Sequence, residues 1–206
     1  MKQMMNPFDV LREDIRNHPM NQELRKQGYE PLFVADERAR IAIIGHAPGI
    51  KAQEAMLAWG DASGQRLMAW LGVSDTAFRD PTLFALIPMD FYYQGKGKTG
   101  DNPPRKEFAD HWHPQLFERM PRLELMVLAG QYAQRYYLGK TMKQNLTETV
   151  RAYETYLPTY FPIVHPSPLN FRWLQKNPWF EAEVVPILQW RISQLLEKNE
   201  GGRVND

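Results

Sequence analysis

The chain has 206 residues, 43% hydrophobic and 12% aromatic, a formal charge of +1 and no cysteine. That size supports one core without division into domains, and the missing cysteines exclude disulfides, thiolate nucleophiles and iron–sulfur or zinc–thiolate sites; any metal would need oxygen or imidazole ligands, and no metal or cofactor is expected. No apolar stretch approaches the roughly 20 residues that a membrane-spanning helix requires, and Met1 to Asp14 alternates charge with apolarity, which excludes a signal core and points to a cytoplasmic protein without a membrane partner.

Phe8, Leu11 and Ile15 are spaced for one face of an opening helix. Arg40 to Gly45 then reads as a strand buried on both faces, and it runs directly into the loop Gly45-His46-Ala47-Pro48-Gly49. Leu67, Trp70 and Leu71 suggest a helix after Gly64, and Leu83 to Asp90 suggests a second strand. A glycine-rich loop follows, in which Lys96, Lys98, Arg105 and Lys106 form a local basic face of the kind that nucleic-acid binding needs. The Pro103-Pro104 pair opens a third helix carrying Phe108, Trp112, Leu116 and Phe117 inward. Leu123 to Gly130 is the third strand, followed by a short helix from Gln131 to Leu138 that Gly139 stops. Tyr160 to His165 is the fourth strand, running into His165-Pro166-Ser167-Pro168-Leu169-Asn170. A long last helix is expected from Pro178, with Phe180, Val184, Leu188, Ile192, Leu195 and Leu196 in one stripe and a bend at Pro186, and the tail after Glu197 is expected to fray.

Alternating strands and helices specify a layered α/β domain with right-handed crossovers. In such sheets ligands bind beyond the carboxyl ends of the strands, so the loop after the first strand and the loop after the fourth should face each other across one cleft. Other catalytic patterns are weak: Ser63 lacks a G-x-S-x-G setting, and in Asp110-His111-Trp112-His113 the two imidazoles point to different helix faces.

These two loops give the chain a resemblance to the uracil-DNA glycosylase superfamily, whose members have a first motif of the type G-E-A-P-G, G-Q-D-P-Y or G-M-N-P-G and a last motif H-P-S-P. A third segment, Ser63-Gly64-Gln65-Arg66-Leu67, is similar to the G-R-A-G-Q-L-L segment of the G-E-A-P-G members and lies at the same interval, Gly49 to Gly64. The resemblance runs from Ile41 onward. It implies a three-layer α/β/α fold around a four-stranded parallel sheet, a monomer acting on DNA, and hydrolysis of the N-glycosidic bond of a flipped, deaminated base, foremost uracil. By the same resemblance His165 stabilises the leaving base as a neutral hydrogen-bond donor. Trp59 takes the place of the phenylalanine that stacks on the base, and Gly45, Ala47, Pro48 and Gly49 wall the base pocket. Leu169 sits where relatives place an apolar wedge, and Ser63, Ser167, Pro168, Asn170, Lys96 and Lys98 are the candidate DNA contacts; for Asn170 a helix cap is the competing role.

Three departures bear on chemistry. Ala47 stands where the G-Q-D-P-Y members carry a water-orienting carboxylate, and His46 stands where the G-E-A-P-G members carry glutamate. A neutral imidazole can accept a proton from water, so His46 is a candidate base. The asparagine that relatives place at the end of the second strand is missing from Ile87-Pro88-Met89-Asp90-Phe91, which makes Asp90 the candidate for orienting water or accepting from a base N–H, with capping a turn at the strand end as the competing role. The iron–sulfur cluster of the G-E-A-P-G group has no ligands here. Two other functions stay open on these residues: a nucleic-acid-binding module that has lost cleavage, and a hydrolase of small nucleotides. A wider pocket would admit a deaminated purine such as hypoxanthine.

Overall fold

The computed structural model describes residues 6–98 and 100–201. In chain order its elements are α1 (Pro7–Asn17), α2 (Gln22–Lys26), β1 (Ile41–Gly45), α3 (Ile50–Ala55), α4 (Ala62–Leu71), α5 (Asp75–Arg79), β2 (Phe84–Pro88), β3 (Lys96–Gly97), β4 (Gly100–Asp101), α6 (Lys106–Glu118), β5 (Leu125–Ala129), α7 (Gln131–Leu138), α8 (Leu146–Arg151), β6 (Tyr160–Ile163), α9 (Phe171–Lys176) and α10 (Val185–Gly201). The main sheet has four parallel strands in the order β2-β1-β5-β6, so both expected loops leave the two-sided sheet at the same rim.

The strands are buried on both faces, and alternation divides their side chains between two cores. Ile41, Ile43, Leu86, Val127, Phe161 and Ile163 meet Leu67 and Trp70 of α4 and Leu188 and Ile192 of α10. Ala42, Ile44, Ala85, Ile87 and Leu128 meet Phe8, Leu11 and Ile15 of α1 and Phe108, Trp112 and Leu116 of α6. Full burial of a large apolar side chain contributes ~1.5–3 kcal/mol, so this double packing holds the sheet and fixes where its rim lies. The result is the three-layer α/β/α arrangement.

The amino-terminal segment does more than pack. Val34 and Leu86 exchange backbone hydrogen bonds of 3.0 and 2.8 Å in an antiparallel bridge, and the Leu32 amide donates to the Phe91 carbonyl at 2.8 Å. The segment thereby covers the free edge of β2, where unpaired backbone groups would otherwise face water.

The strands are shorter than their apolar runs; Asp90, for one, is buried beyond the last ladder pair of β1 and β2, Gly45 with Pro88. The last helix begins with a widened turn over Phe180–Val184 ahead of Pro186, which has no N–H to donate backwards; regular helix resumes at Val185 and continues through Gly201. Residues 202–206, part of the expected frayed tail, lie outside the described residues. No helix among the described residues is long and apolar enough to cross a membrane.

Candidate active site

A cavity of about 520 Å³, its open mouth included, lies at the carboxyl rim of the sheet, lined by His46, Ala47, Pro48 and Gly49 from the first loop and His165 from the last. Leu32, Ala52, Ala58, Trp59, Asp61, Ser63 and Pro88 complete its wall. Most of its lining is apolar with a few polar groups, the make-up of a small-ligand site.

His165 is fixed by its own turn. The Ser167 amide donates to His165 Nδ1 at 3.2 Å, and Asn170 Nδ2 donates to the His165 carbonyl at 2.8 Å. Arg66 Nη1 reaches the Pro166 and Ser167 carbonyls at 3.4 and 3.3 Å from α4. Burial, assisted by the nearby His46, lowers the His165 pKa to about 4. The imidazole is therefore neutral near pH 7, and because Nδ1 accepts a hydrogen bond, its one proton resides on Nε2.

His46 takes the opposite tautomer. Its Nδ1 lies 3.3 Å from the Ala47 carbonyl, an acceptor, which puts the proton on Nδ1 and leaves Nε2 with a lone pair. Burial lowers its pKa, partly offset by the Ala47 carbonyl and by the charges of Asp101 and Asp90. The exposed Tyr132 presents itself edge-on to the His46 ring at 5.0 Å. One cavity thus holds a neutral N–H donor and a neutral acceptor.

Trp59 forms the cavity wall next to His165, with ring centroids 5.4 Å apart and planes inclined by 30°. Its backbone is left-handed, φ 58°, a strained state for a bulky residue. The strain is held by Arg79, whose Nη2 donates to the Trp59 carbonyl at 3.2 Å and whose Nη1 donates to Ala58. Two glycines make room: a Cβ on Gly45 would lie 2.6 Å from Trp59 Cζ2, and one on Gly64 would lie 1.8 Å from the Trp59 carbonyl oxygen.

Asp61, absent from the sequence reading, is the carboxylate on the cavity wall. Its Oδ1 accepts from the Gly64 amide at 3.1 Å, capping α4. The cap positions an exposed carboxylate whose field reaches His165. An N-cap aspartate three residues before a helical glycine was the available signal, and the expected helix start at Gly64 lay too late to show it.

Asp90 is a correction. It does not line the cavity, and its oxygens are taken: Arg105 Nε to Oδ2 at 2.7 Å, Arg105 Nη2 to Oδ1 at 2.8 Å, and the amides of Arg105 and Tyr92 at 3.2 and 3.1 Å. It has no exposed surface and no free lone pair for a water or a base. By the same pairing Arg105 faces inward and leaves the basic surface of its loop, whereas Lys96 and Lys98 are exposed on the β3–β4 hairpin.

Around the mouth, Leu169 is 86% exposed, and Ser63 is buried on the wall. Pro168 opens the short turn that carries Leu169, with Ser167 Oγ accepting from the Leu169 amide at 3.2 Å. The Ser167 amide is committed to His165 and is not free for a phosphate. Asn170 makes no side-chain cap for α9; its amide is committed to the His165 carbonyl, which corrects both the cap and the direct contact through that nitrogen.

Comparison with known proteins gives two findings. A family model described as the uracil DNA glycosylase superfamily matches residues 32–189. A solution structure of a candidate uracil DNA glycosylase from Methanosarcina acetivorans is similar in fold, with a TM-score of 0.51 and 16% identity over 77% of this chain and 94% of that one.

Proposed function

The chain belongs to the uracil DNA glycosylase superfamily, and we propose that it is a DNA glycosylase that hydrolyses the N-glycosidic bond of a flipped, deaminated base, with uracil as the first candidate. The observation that carries this reading is the fixed tautomer of His165: a neutral imidazole with its proton on Nε2, held in the cavity by the Ser167 amide. Cleavage of the bond between C1′ and the base leaves electrons on the base and positive charge on the sugar. A neutral donor aimed at the base carbonyl strengthens as that charge grows. A cationic imidazole would tend to give its proton away.

The remaining steps use groups already in place. The flipped base stacks on Trp59, an interaction worth ~1–3 kcal/mol per base. The wall of Ala47, Pro48, Gly49 and Pro88 excludes water from its edges. A water adds to C1′ as the base departs; His46 Nε2 accepts its proton, and the departing base anion is protonated by solvent. Asp61 supplies negative charge for the cationic sugar, while the water-orienting role expected of Asp90 falls to His46. Outside the cavity Leu169 fills the gap in the base stack, and Lys96 and Lys98 meet phosphates. No side-chain amide from the end of β2 reads the base, so shape and the His165 contact carry recognition, and hypoxanthine is the alternative substrate to include. The protein acts as a monomer on DNA in the cytoplasm.

The test is release of free base from single- and double-stranded oligonucleotides carrying one uracil or one hypoxanthine. Wild-type protein should release base and leave an abasic site, and His165→Ala should lower the rate about 100-fold, the usual effect of losing one such donor. Oligonucleotide binding with no release on any of these substrates would establish a cleavage-deficient binding module instead. Turnover of free mononucleotides with no salt-dependent oligonucleotide affinity would establish a small-nucleotide hydrolase.

A further inference from the structure

The carboxylate that leaves the reacting centre has another task. Asp90 and Arg105 bracket the segment that carries the β3–β4 hairpin, and their side chains close its two ends on each other through the Nε–Oδ2 and Nη2–Oδ1 pair of 2.7 and 2.8 Å. The remaining Arg105 nitrogen, Nη1, donates to the Met20 carbonyl at 2.8 Å and to Asn21 Oδ1 at 2.9 Å, while Asn21 Nδ2 is anchored on the Ile15 carbonyl at 2.6 Å. The guanidinium also lies 4.6 Å from the Phe108 ring centroid, over its face. One fork thus fastens both ends of the segment to each other, to the turn at Met20 and Asn21 that follows α1, and to the Phe108 ring of α6.

The segment is tied inside as well. The Tyr93 amide donates to Gln53 Oε1 at 2.8 Å, and the Gln53 amide donates to the Glu30 carbonyl at 2.7 Å, which fixes the rising limb against α3. Asn102 joins the two limbs through the Gly95 and Gln94 carbonyls, both at 2.9 Å. At the far end, Asp101 Oδ2 comes within 3.6 Å of where a Cβ on Gly49 would lie, so the hairpin rests over the first cavity loop. Lys96 and Lys98 remain exposed on it.

We propose that Asp90 and Arg105 are positioning residues that hold this hairpin at the cavity mouth, so that Lys96 and Lys98 meet the phosphates of a strand whose nucleotide has entered the cavity. The proposal rests on the DNA-binding part of the reading above. Asp90 and Arg105 act only through the lysines and touch no substrate. A bidentate Arg–carboxylate pair has defined geometry, and lysine in place of arginine keeps the charge but cannot reproduce the fork.

The experiment measures affinity for a uracil-bearing duplex by fluorescence anisotropy between about 50 and 200 mM salt, where each phosphate contact contributes roughly 0.9 to the slope of log affinity against log salt. Lys96→Ala/Lys98→Ala should lower the slope by about 1.8. Arg105→Lys and Asp90→Asn should each reproduce at least about half of that loss, raise KM more than they change kcat, and speed trypsin cleavage after Lys96 or Lys98 several-fold, because the hairpin is no longer held. Asn21→Ala, which removes one acceptor of Arg105 and the donor to the Ile15 carbonyl but leaves the ion pair intact, should shift the slope and the nicking in the same direction by less, and it carries the test if the stronger variants do not fold. An unchanged slope in folded Arg105→Lys, or in the double lysine variant, overturns the proposal. A wild-type protein that shows these slopes but releases no base leaves the clamp standing and removes the glycosylase reading.

Discussion

His113 offers a direct test of whether the core behind the cavity is built as described. It is 1% exposed in α6, its Nε2 donates to the Pro88 carbonyl at 3.0 Å, and its Nδ1 accepts from the Tyr137 hydroxyl. The faces of Phe91 and Tyr137 stack on its ring, Phe117 and Tyr136 meet it edge-on, and Asp110 is the nearby charge. Burial lowers its pKa from 6.5 to about 4. Because the unfolded chain binds the proton first as pH falls, stability is complete above pH 6.5 and declines toward pH 4. With those two values the loss is about 1 kcal/mol by pH 5.5 and about 2 to 3 kcal/mol by pH 4.5. His113→Phe removes this titration but leaves Pro88 O and the Tyr137 hydroxyl unpaired, a penalty of about 1–3 kcal/mol per buried group at every pH. Urea unfolding of both proteins from about pH 7 to 4.5 should therefore show the wild type ahead at neutral pH and its lead shrinking by about 2 to 3 kcal/mol on acidification. Every other titration is common to the two proteins and cancels. Parallel curves, or a lead that grows in acid, would refute the buried neutral histidine.

Base release should persist as pH falls through 6.5, because the His46 base is held below that value by burial and stays unprotonated; an acid limb centred at or above 6.5 contradicts the assignment. Gly64→Ala puts a Cβ 1.8 Å from the Trp59 carbonyl oxygen, so the Trp59 turn must move; unfolding should show a loss of about 1–3 kcal/mol and base release should fall with it, and a variant of wild-type stability would show the turn to be looser than described. Leu169→Ala should leave stability within about 0.5 kcal/mol, since the side chain is 86% exposed, while base release from duplex substrates drops; a stability loss without a rate effect would mean that the leucine packs rather than plugs.

The features legible in the sequence share a physical reason. The cavity loops follow buried strands, and the sharp turns of Gly45–Gly49 and of His165–Asn170 are written in glycine and proline, so their topological place and their chemistry can be read from neighbouring residues. The six-residue α3, α8 and α9 and the five-residue α5 are too short to establish a helical period, and they escaped the same reading. So did Leu32, which reaches the cavity only because Val34 pairs with the edge of β2, a contact that no local pattern encodes.

The two aspartates show the division most sharply. Local sequence places Asp90 at the end of a strand, close to where a reacting carboxylate is wanted, and places Asp61 in an unremarked turn. What reverses their roles lies outside the motif: a guanidinium fifteen residues on, with the Arg105 and Tyr92 amides, takes up the lone pairs of Asp90, while the left-handed Trp59 turn swings the cap of α4 onto the cavity wall. A carboxylate's chemistry is set by the donors left over after folding has taken its share, and that remainder depends on contacts between segments far apart in the chain. Reading such a residue from sequence therefore requires locating its nearest arginine as well as its position in a motif, and here the PPR run from Pro103 to Arg105 was the available clue.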